Sequence, residues 1–148
     1  MLRLSKKADY ALMAMKHLAL RRDRGSSSAR EIAEQYDIPI ELLAKVLQRL
    51  VRRGLLVSHH GTRGGYRLAR QAGLVSVADV IQAIDGPVTI TACSTEDGRC
   101  EQYSRCNVRD PLWRVRERIL AALGGCTIAE LAADHPAPVR PMVLHTHL

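Results

Sequence analysis

Apolar residues recur at steps of three and four from the start of the chain, and each break in that period marks a change of element. Ala8, Ala11, Leu12, Met15, Leu18 and Ala19 predict an amphipathic helix over residues 5–21 with Ser5 as its cap. The loop 22–28 follows, and Ser28-Ala-Arg-Glu31 reads as a capping box that opens a short second helix through Ile32, Ala33 and Tyr36, stopping at Asp37. Pro39 permits a new start, and Ile40, Leu43, Val46, Leu47 and Leu50 form the apolar stripe of a third helix that ends before Gly54. Two short helices joined by a tight turn predict a helix-turn-helix. After Gly54 the period becomes two, through residues 55–60 and 66–70 on either side of Gly61-Thr-Arg-Gly-Gly65, which predicts a hairpin with a Gly-rich, Arg-tipped turn. A hairpin directly after such a third helix is a wing.

Ser76 caps a fourth helix over 77–84, closed by Gly86-Pro87, and residues 88–91 read as a short extended run. Asp110-Pro111 starts a long helix striped by Leu112, Val115, Ile119, Leu120 and Leu123 up to Gly124-Gly125. That stripe, far from the winged core in sequence, is expected to be buried against a second copy. Thr127-Ile-Ala-Glu130 caps one last short helix. The segment from His135, with Pro136, Pro138 and Pro141, reads as a flexible tail in which His145 and His147 are solvated rather than metal-bound. The fold class expected is mainly α with a small β-hairpin wing: a winged helix-turn-helix plus a long C-terminal dimerisation helix. The division is a DNA-binding domain over 1–86, a cysteine-rich loop over 87–109, the long and terminal helices over 110–134, and the tail over 135–148.

Charge sharpens this picture. The net charge of +7 is unevenly placed: residues 1–70 hold 15 Lys and Arg against 6 Asp and Glu, whereas residues 71–148 hold 7 against 9. The first half is the polyanion-binding half. On the third helix Glu41, Lys45, Gln48 and Arg52 fall at i, i+4, i+7 and i+11, on the face opposite the apolar stripe, where they could enter a major groove. Arg63 at the wing tip suits a narrow minor groove, and Lys6, Lys7, Arg49 and Arg67 are placed for phosphates. Double-stranded DNA with a pseudo-palindromic operator is the partner expected. No uncharged run of about 18 residues exists to span a membrane or serve as a signal segment, which predicts a cytoplasmic protein. A phosphate-binding loop, a nucleophile motif and a plausible pair of catalytic carboxylates are all missing from the sequence, so an enzyme is not expected.

The chemistry concentrates in one stretch. Cys93, Cys100 and Cys106 lie within fourteen residues rich in Asp, Glu, Gly, Ser and Arg, a composition that cannot form a core. In a reducing compartment such thiols point to a metal centre rather than to disulfides, and mostly sulfur sites select zinc or iron–sulfur clusters. Cys126 lies beyond a helix spanning roughly 20 Å from Cys106, a poor ligand from the same chain.

With these residues in view, the chain resembles the IscR/NsrR family of bacterial winged-helix regulators over most of residues 1–133. The resemblance is carried by Met1-Leu-Arg-Leu-Ser-Lys-Lys-Ala-Asp-Tyr-Ala-Leu12, Leu50-Val-Arg-Arg-Gly-Leu-Leu56, the wing Arg63-Gly-Gly-Tyr-Arg-Leu-Ala69 and the three-cysteine loop before a long helix. The segment from Cys100 to Trp113 is most similar to regulators of SUF-type cluster assembly. The resemblance implies a homodimer, an iron–sulfur cluster of the 2Fe-2S or 4Fe-4S type, and Cys93, Cys100 and Cys106 as its three thiolates. Where IscR-like members use a His three residues after the third cysteine, this chain has Arg109, which cannot ligate iron while protonated. NsrR-like members use an Asp near the N-terminus of the partner subunit, a position matched by Asp9, with another oxygen ligand or an exogenous molecule as the alternative. The function so implied is a DNA-binding repressor of iron–sulfur assembly genes. A nitric oxide or redox sensor of the same fold is one alternative. A zinc-stabilised structural module is another, disfavoured by the absence of a close Cys-x2-Cys pair.

Overall fold

The computed structural model describes residues 3–90 and 100–133. Among these residues, six helices and one hairpin follow in the order α1 (Lys6–Leu20), α2 (Ala29–Tyr36), α3 (Ile40–Arg52), β1 (Leu56–His59), β2 (Gly65–Leu68), α4 (Val77–Asp85), α5 (Arg109–Gly125) and α6 (Ile128–Ala133). Single 3-10 turns at Arg22–Arg24, Ala72–Leu74 and Tyr103–Arg105 punctuate the described connections. The predicted tail over 135–148, Cys93 and most of the segment between α4 and Cys100 lie outside the described residues.

Helix α1 is the hub. Ser5 Oγ accepts from the Ala8 amide at 3.0 Å, which starts the helix, and its hydroxyl donates to Asp85 at the end of α4 at 2.7 Å. Ala8, Ala11 and Ala14 repeat every three residues and are fully buried beside Met15 and Leu18. Small side chains at that spacing let α3, α4 and α6 approach the same helix, while Met15 fills the space their axes leave.

The helix-turn-helix is made by local chemistry. Ser28 caps α2, accepting from the Glu31 amide at 3.1 Å; this is one arm of the predicted box, and no reciprocal bond from Glu31 arises among the described residues. Asp37 ends α2 at φ 52°, a left-handed conformation that Asp tolerates better than most residues. Ile38 is buried in the turn, and Pro39 is the cap of α3 rather than its first residue. Leu43, Val46, Leu47 and Leu50 are buried along one face of α3. Gly54, at φ 74°, turns the chain out of the helix while the Leu55 amide reaches the Leu50 carbonyl at 3.0 Å.

The wing pairs antiparallel in the register Leu56↔Leu68, Val57↔Arg67, Ser58↔Tyr66 and His59↔Gly65. It is also fastened to the loop before α2: Ser27 and Tyr66 exchange both backbone bonds, at 3.2 and 2.8 Å, and Ser26 Oγ donates to the Arg63 carbonyl at 2.8 Å. Wing and helix-turn-helix are thereby held in one orientation.

Ser76 and Asp79 form a complete capping box on α4, and Thr127 and Glu130 make the same reciprocal pair before α6. Val77 and Ile128 amides donate to the Cys126 and Val75 carbonyls at 2.8 and 2.9 Å, stitching the end of α5 back to the start of α4. Ile128 is fully buried in the common core against α1, and burying such a side chain stabilises by about 1.5–3 kcal/mol.

The run after α4 offers its Val88 carbonyl to Arg116 Nε of α5 at 3.1 Å. One expectation is narrowed. Helix α5 starts one residue before Asp110 and runs to Gly125, and its stripe is not wholly free. Leu112, Ile119, Leu120 and Leu123 are half-buried within the protomer, and Ile119 and Leu123 line a cavity with Ile81 of α4 and Pro87–Thr89.

Gly65 sits at φ 148°, and a Cβ there would lie 2.5 Å from the Ser27 carbonyl oxygen. Gly65→Ala is expected to cost about 1–3 kcal/mol and to loosen the wing; chemical denaturation measures the first, and an unchanged midpoint would show that the Ser27–Tyr66 bridge is dispensable.

Candidate functional site

Helix α3 presents Glu41, Lys45, Gln48, Arg49 and Arg52 to solvent, opposite its buried stripe. Between this helix and α1 lies a shallow groove lined by Lys7, Leu42, Lys45, Val46, Gln48, Arg49, Arg52 and Ile84. Four of these residues are cations and none is a carboxylate, so the groove is a concentrated positive surface. Arg49 is held by a bond from Nε to the Ala83 carbonyl of α4 at 3.1 Å and is exposed.

A second, larger groove of about 610 Å³ runs from α3 to the wing. Gln48 and Arg52 line it, with Ser28 and Ala29 at the start of α2 and Ser58, His59, His60 and Tyr66 of the hairpin. The two grooves share Gln48 and Arg52 and form a continuous surface along α3. Arg63 at the wing tip and Arg67 on β2 are exposed nearby in sequence but line neither groove, as is true of Lys6 and Glu41. Lys6 lies over the Tyr10 ring, with Nζ 5.9 Å from its centroid. The participation of Ser58, His59, His60 and the α2 start has no signal in the sequence, where Ser28 reads only as a cap and the two His only as strand residues.

Behind the wing attachment is a buried polar cluster. His17 of α1 is 2% exposed, its Nδ1 2.9 Å from the Tyr36 hydroxyl and its Nε2 3.3 Å from Ser27 Oγ. Burial, and secondarily the charge of Arg21, hold its pKa below the usual 6.5 against an opposing pull from Glu31. Burial pushes the Tyr36 phenol up.

The cysteine region presents a short arc. Cys100 and Cys106 are half-buried free thiols on either side of the 3-10 turn Tyr103–Arg105, whose first amide donates to the Cys100 carbonyl at 3.1 Å. Arg109, the first residue of α5, donates from Nη1 to the Tyr103 carbonyl at 3.1 Å and pairs with Asp110 at 3.1 Å. Asp9 lies half-buried in the first turn of α1, and no hydrogen bond or ion pair to its carboxylate arises among the described residues. Among the described residues no three His, Cys, Asp or Glu side chains gather as a metal-holding group, so Asp9 does not join Cys100 and Cys106 within one protomer.

Comparison with known proteins fits this geometry. The Rrf2 family model, described as an iron-dependent transcriptional regulator, matches residues 4–134. The chain belongs to the Rrf2 family of transcriptional regulators. It is 38% identical over 134 residues to the HTH-type transcriptional regulator IscR of Xenorhabdus nematophila, covering 90% of this chain and 80% of that one. Among solved structures, the global cysteine regulator CymR of B. subtilis superposes with a TM-score of 0.75 at 28% identity, covering 92% of this chain and all of CymR. T. potens IscR superposes with a TM-score of 0.70 at 26% identity, covering 92% and 94%. The mainly helical winged fold is therefore that of Rrf2 regulators, and this Rrf2 protein is a DNA-binding transcriptional regulator, not an enzyme. Among its described residues no helix is long and apolar enough to cross a membrane.

The His17 cluster makes a prediction for this regulator. A folded pKa below 6.5 means that the neutral ring's contribution is complete above 6.5 and is lost as pH falls through the depressed value. The unfolding midpoint of the wild type should fall between pH 7 and pH 5, and His17→Gln should flatten that dependence; equal acid sensitivity in both proteins would remove His17 as its source.

Proposed function

We propose that the protein is a homodimeric repressor whose operator affinity is set by an iron–sulfur cluster, and that it controls genes of iron–sulfur cluster assembly. The single observation that supports this most is the arc that presents Cys100 and Cys106, two free thiols, at the head of α5 in a family described as iron-dependent. The donor set suits such a cluster. Thiolates are soft ligands that select iron–sulfur centres or zinc, and these two are half-buried and not joined in a disulfide. Cys93, outside the described residues, supplies the third thiolate in this reading, and Asp9 of the partner subunit supplies the fourth ligand. When bound, the cluster supplies a redox-active, oxidant-sensitive iron centre.

The chain's own residues make the connection to DNA. Gln48, Lys45, Glu41 and Arg52 read the major groove from α3, and Arg63 enters the minor groove. Lys6, Lys7, Arg49 and Arg67 hold phosphates, fixing register without reading sequence. A dimer needs its two recognition helices about one DNA turn, ~34 Å, apart. Exposed apolar residues on and just before α5 support the dimer: Val108, the residue before the helix, and Trp113 and Val115 on it are 50, 52 and 43% exposed. A carboxylate from α1 of one subunit and thiolates of the other, holding one cluster between them, would tie ligand state to the relative placement of the two α3 helices. By linkage, operator DNA then favours one ligand state of the protein.

Two outcomes test this. Arg63→Ala should weaken binding to a selected operator duplex by about 1–3 kcal/mol, whereas unchanged affinity at fixed salt removes Arg63 from the interface. Anaerobically purified wild type should be brown with matched iron and sulfide, and Asp9→Ala should bleach faster. A brown mutant that behaves like wild type discards Asp9, while colourless protein carrying zinc replaces cluster sensing with a structural cysteine loop.

A further inference from the structure

We propose that Arg109 is a positioning residue that pre-forms the Cys100–Cys106 pair; this rests on the reading of that pair as cluster ligands. The arc between the two thiols is short and weakly held by its own backbone. It contains one 3-10 turn, closed by Tyr103 N–H to the Cys100 carbonyl at 3.1 Å and Arg105 N–H to the Gln102 carbonyl at 3.0 Å. Single 3-10 turns have poor hydrogen-bond geometry and little cooperativity. Burial does not compensate, because Tyr103, the first residue of the turn, is 53% exposed.

Arg109 holds that exposed residue in two chemically different ways. Its Nη1 donates to the Tyr103 carbonyl at 3.1 Å, and its guanidinium carbon lies 4.5 Å from the centroid of the Tyr103 ring. Its Nε is meanwhile occupied by Asp110 at 3.1 Å, which turns the side chain back along the start of α5. One planar fork thus makes a carboxylate contact, a carbonyl contact and a ring contact at once. An ammonium on a flexible stem has no such fixed fork. Because Arg109 is the first residue of α5, the clamp also fixes the turn, and with it the two cysteines, to the helix that carries the exposed apolar edge. Arg109 contributes no lone pair to a metal, so its role is to limit where the thiolates sit. Ligands held close to productive geometry before binding keep a bound centre longer than ligands that must be ordered by it.

The full chain carries the test. Arg109→Ala and Arg109→Lys are compared with wild type for the rate of iron loss to excess chelator, followed by visible absorption and circular dichroism under anaerobic conditions. In parallel, millisecond hydrogen exchange of the amides of residues 103 and 105 is followed in the metal-free protein. Both variants are expected to lose iron and to exchange those amides about fivefold faster, the effect of one typical hydrogen bond. The Lys variant separates position from charge, since it keeps the cation and loses the fork. Wild-type rates in Arg109→Ala overturn the proposal, and so does an Arg109→Lys protein indistinguishable from wild type. If the wild type is colourless, the cluster reading fails separately, and exchange alone decides the clamp: faster exchange in both variants keeps it, and unchanged exchange overturns it.

Discussion

The closeness with which three helices approach the alanine face of α1 is the constraint on which the remaining structure depends. Ala8, Ala11 and Ala14 bury no large side chain of their own, so what they contribute is room. Into that room come the apolar stripe of α3, the inner face of α4 and Ile128 of α6. A larger residue at any of the three positions would push at least one of these helices outward, and interiors at native density transmit such displacements instead of absorbing them. The outward face of α3 is therefore set by an alanine repeat on a helix that carries few of the groups proposed to touch DNA.

Helix α4 extends this logic toward the cysteines. Its last turn receives three separate elements: Arg49 of α3 donates to the Ala83 carbonyl, Ser5 at the head of α1 donates to Asp85, and the residues just beyond it offer the Val88 carbonyl to Arg116 of α5. The recognition helix, the helix bearing Asp9 and the helix that follows the cysteine arc thus meet within about six residues of chain. Contiguity of this kind is a geometric fact and by itself transmits nothing; coupling requires an element with two arrangements that both sites bias. In the proposed dimer the relative placement of the two protomers is that element. The last turn of α4 is where a shift of α5 would be felt by Arg49.

What could be read from sequence follows the range of the interaction concerned. Caps are local, and Ser5, Ser28, Ser76 and Thr127 were all legible because a hydroxyl three residues before a free amide needs no tertiary information. The left-handed Asp37 and the Gly54 exit are local too, which is why the helix-turn-helix could be bounded closely. His17 was not legible, since its partners Tyr36 and Ser27 are ten or more residues distant and an imidazole on an apolar helix face gives no sign of them. The Ser27–Tyr66 bridge escaped for the same reason. For the candidate site, the spacing of Glu41, Lys45, Gln48 and Arg52 located one helix face, because a single element's period decides it. The groove to the wing, with His59, His60 and the start of α2, needed the three-dimensional return of the hairpin. Arg109 was noticed only for what it cannot do as a ligand; its hold on Tyr103 depends on a turn that composition does not announce.

The stripe on α5 carries the last step. A helix meant only to cover its own protomer would confine its apolar residues to the inward side, where Leu112, Ile119, Leu120 and Leu123 are half-buried. Here the apolar surface continues around both edges, to Val108 and Val115 on one side and Trp113 on the other, and Arg116 lies across the Trp113 ring with its guanidinium carbon 4.9 Å from the centroid. Isolated exposed apolar side chains are ordinary, but a row along one helix next to half-covered neighbours marks an association surface. In the proposed dimer a second copy of α5 would cover it through the same residues on both sides, as two-fold symmetry requires. Cys106 lies two residues before Val108, so a dimer formed there brings each cysteine arc to the border of the other protomer. In the proposed reading, the fourth ligand, Asp9 of the partner subunit, would be supplied across that border.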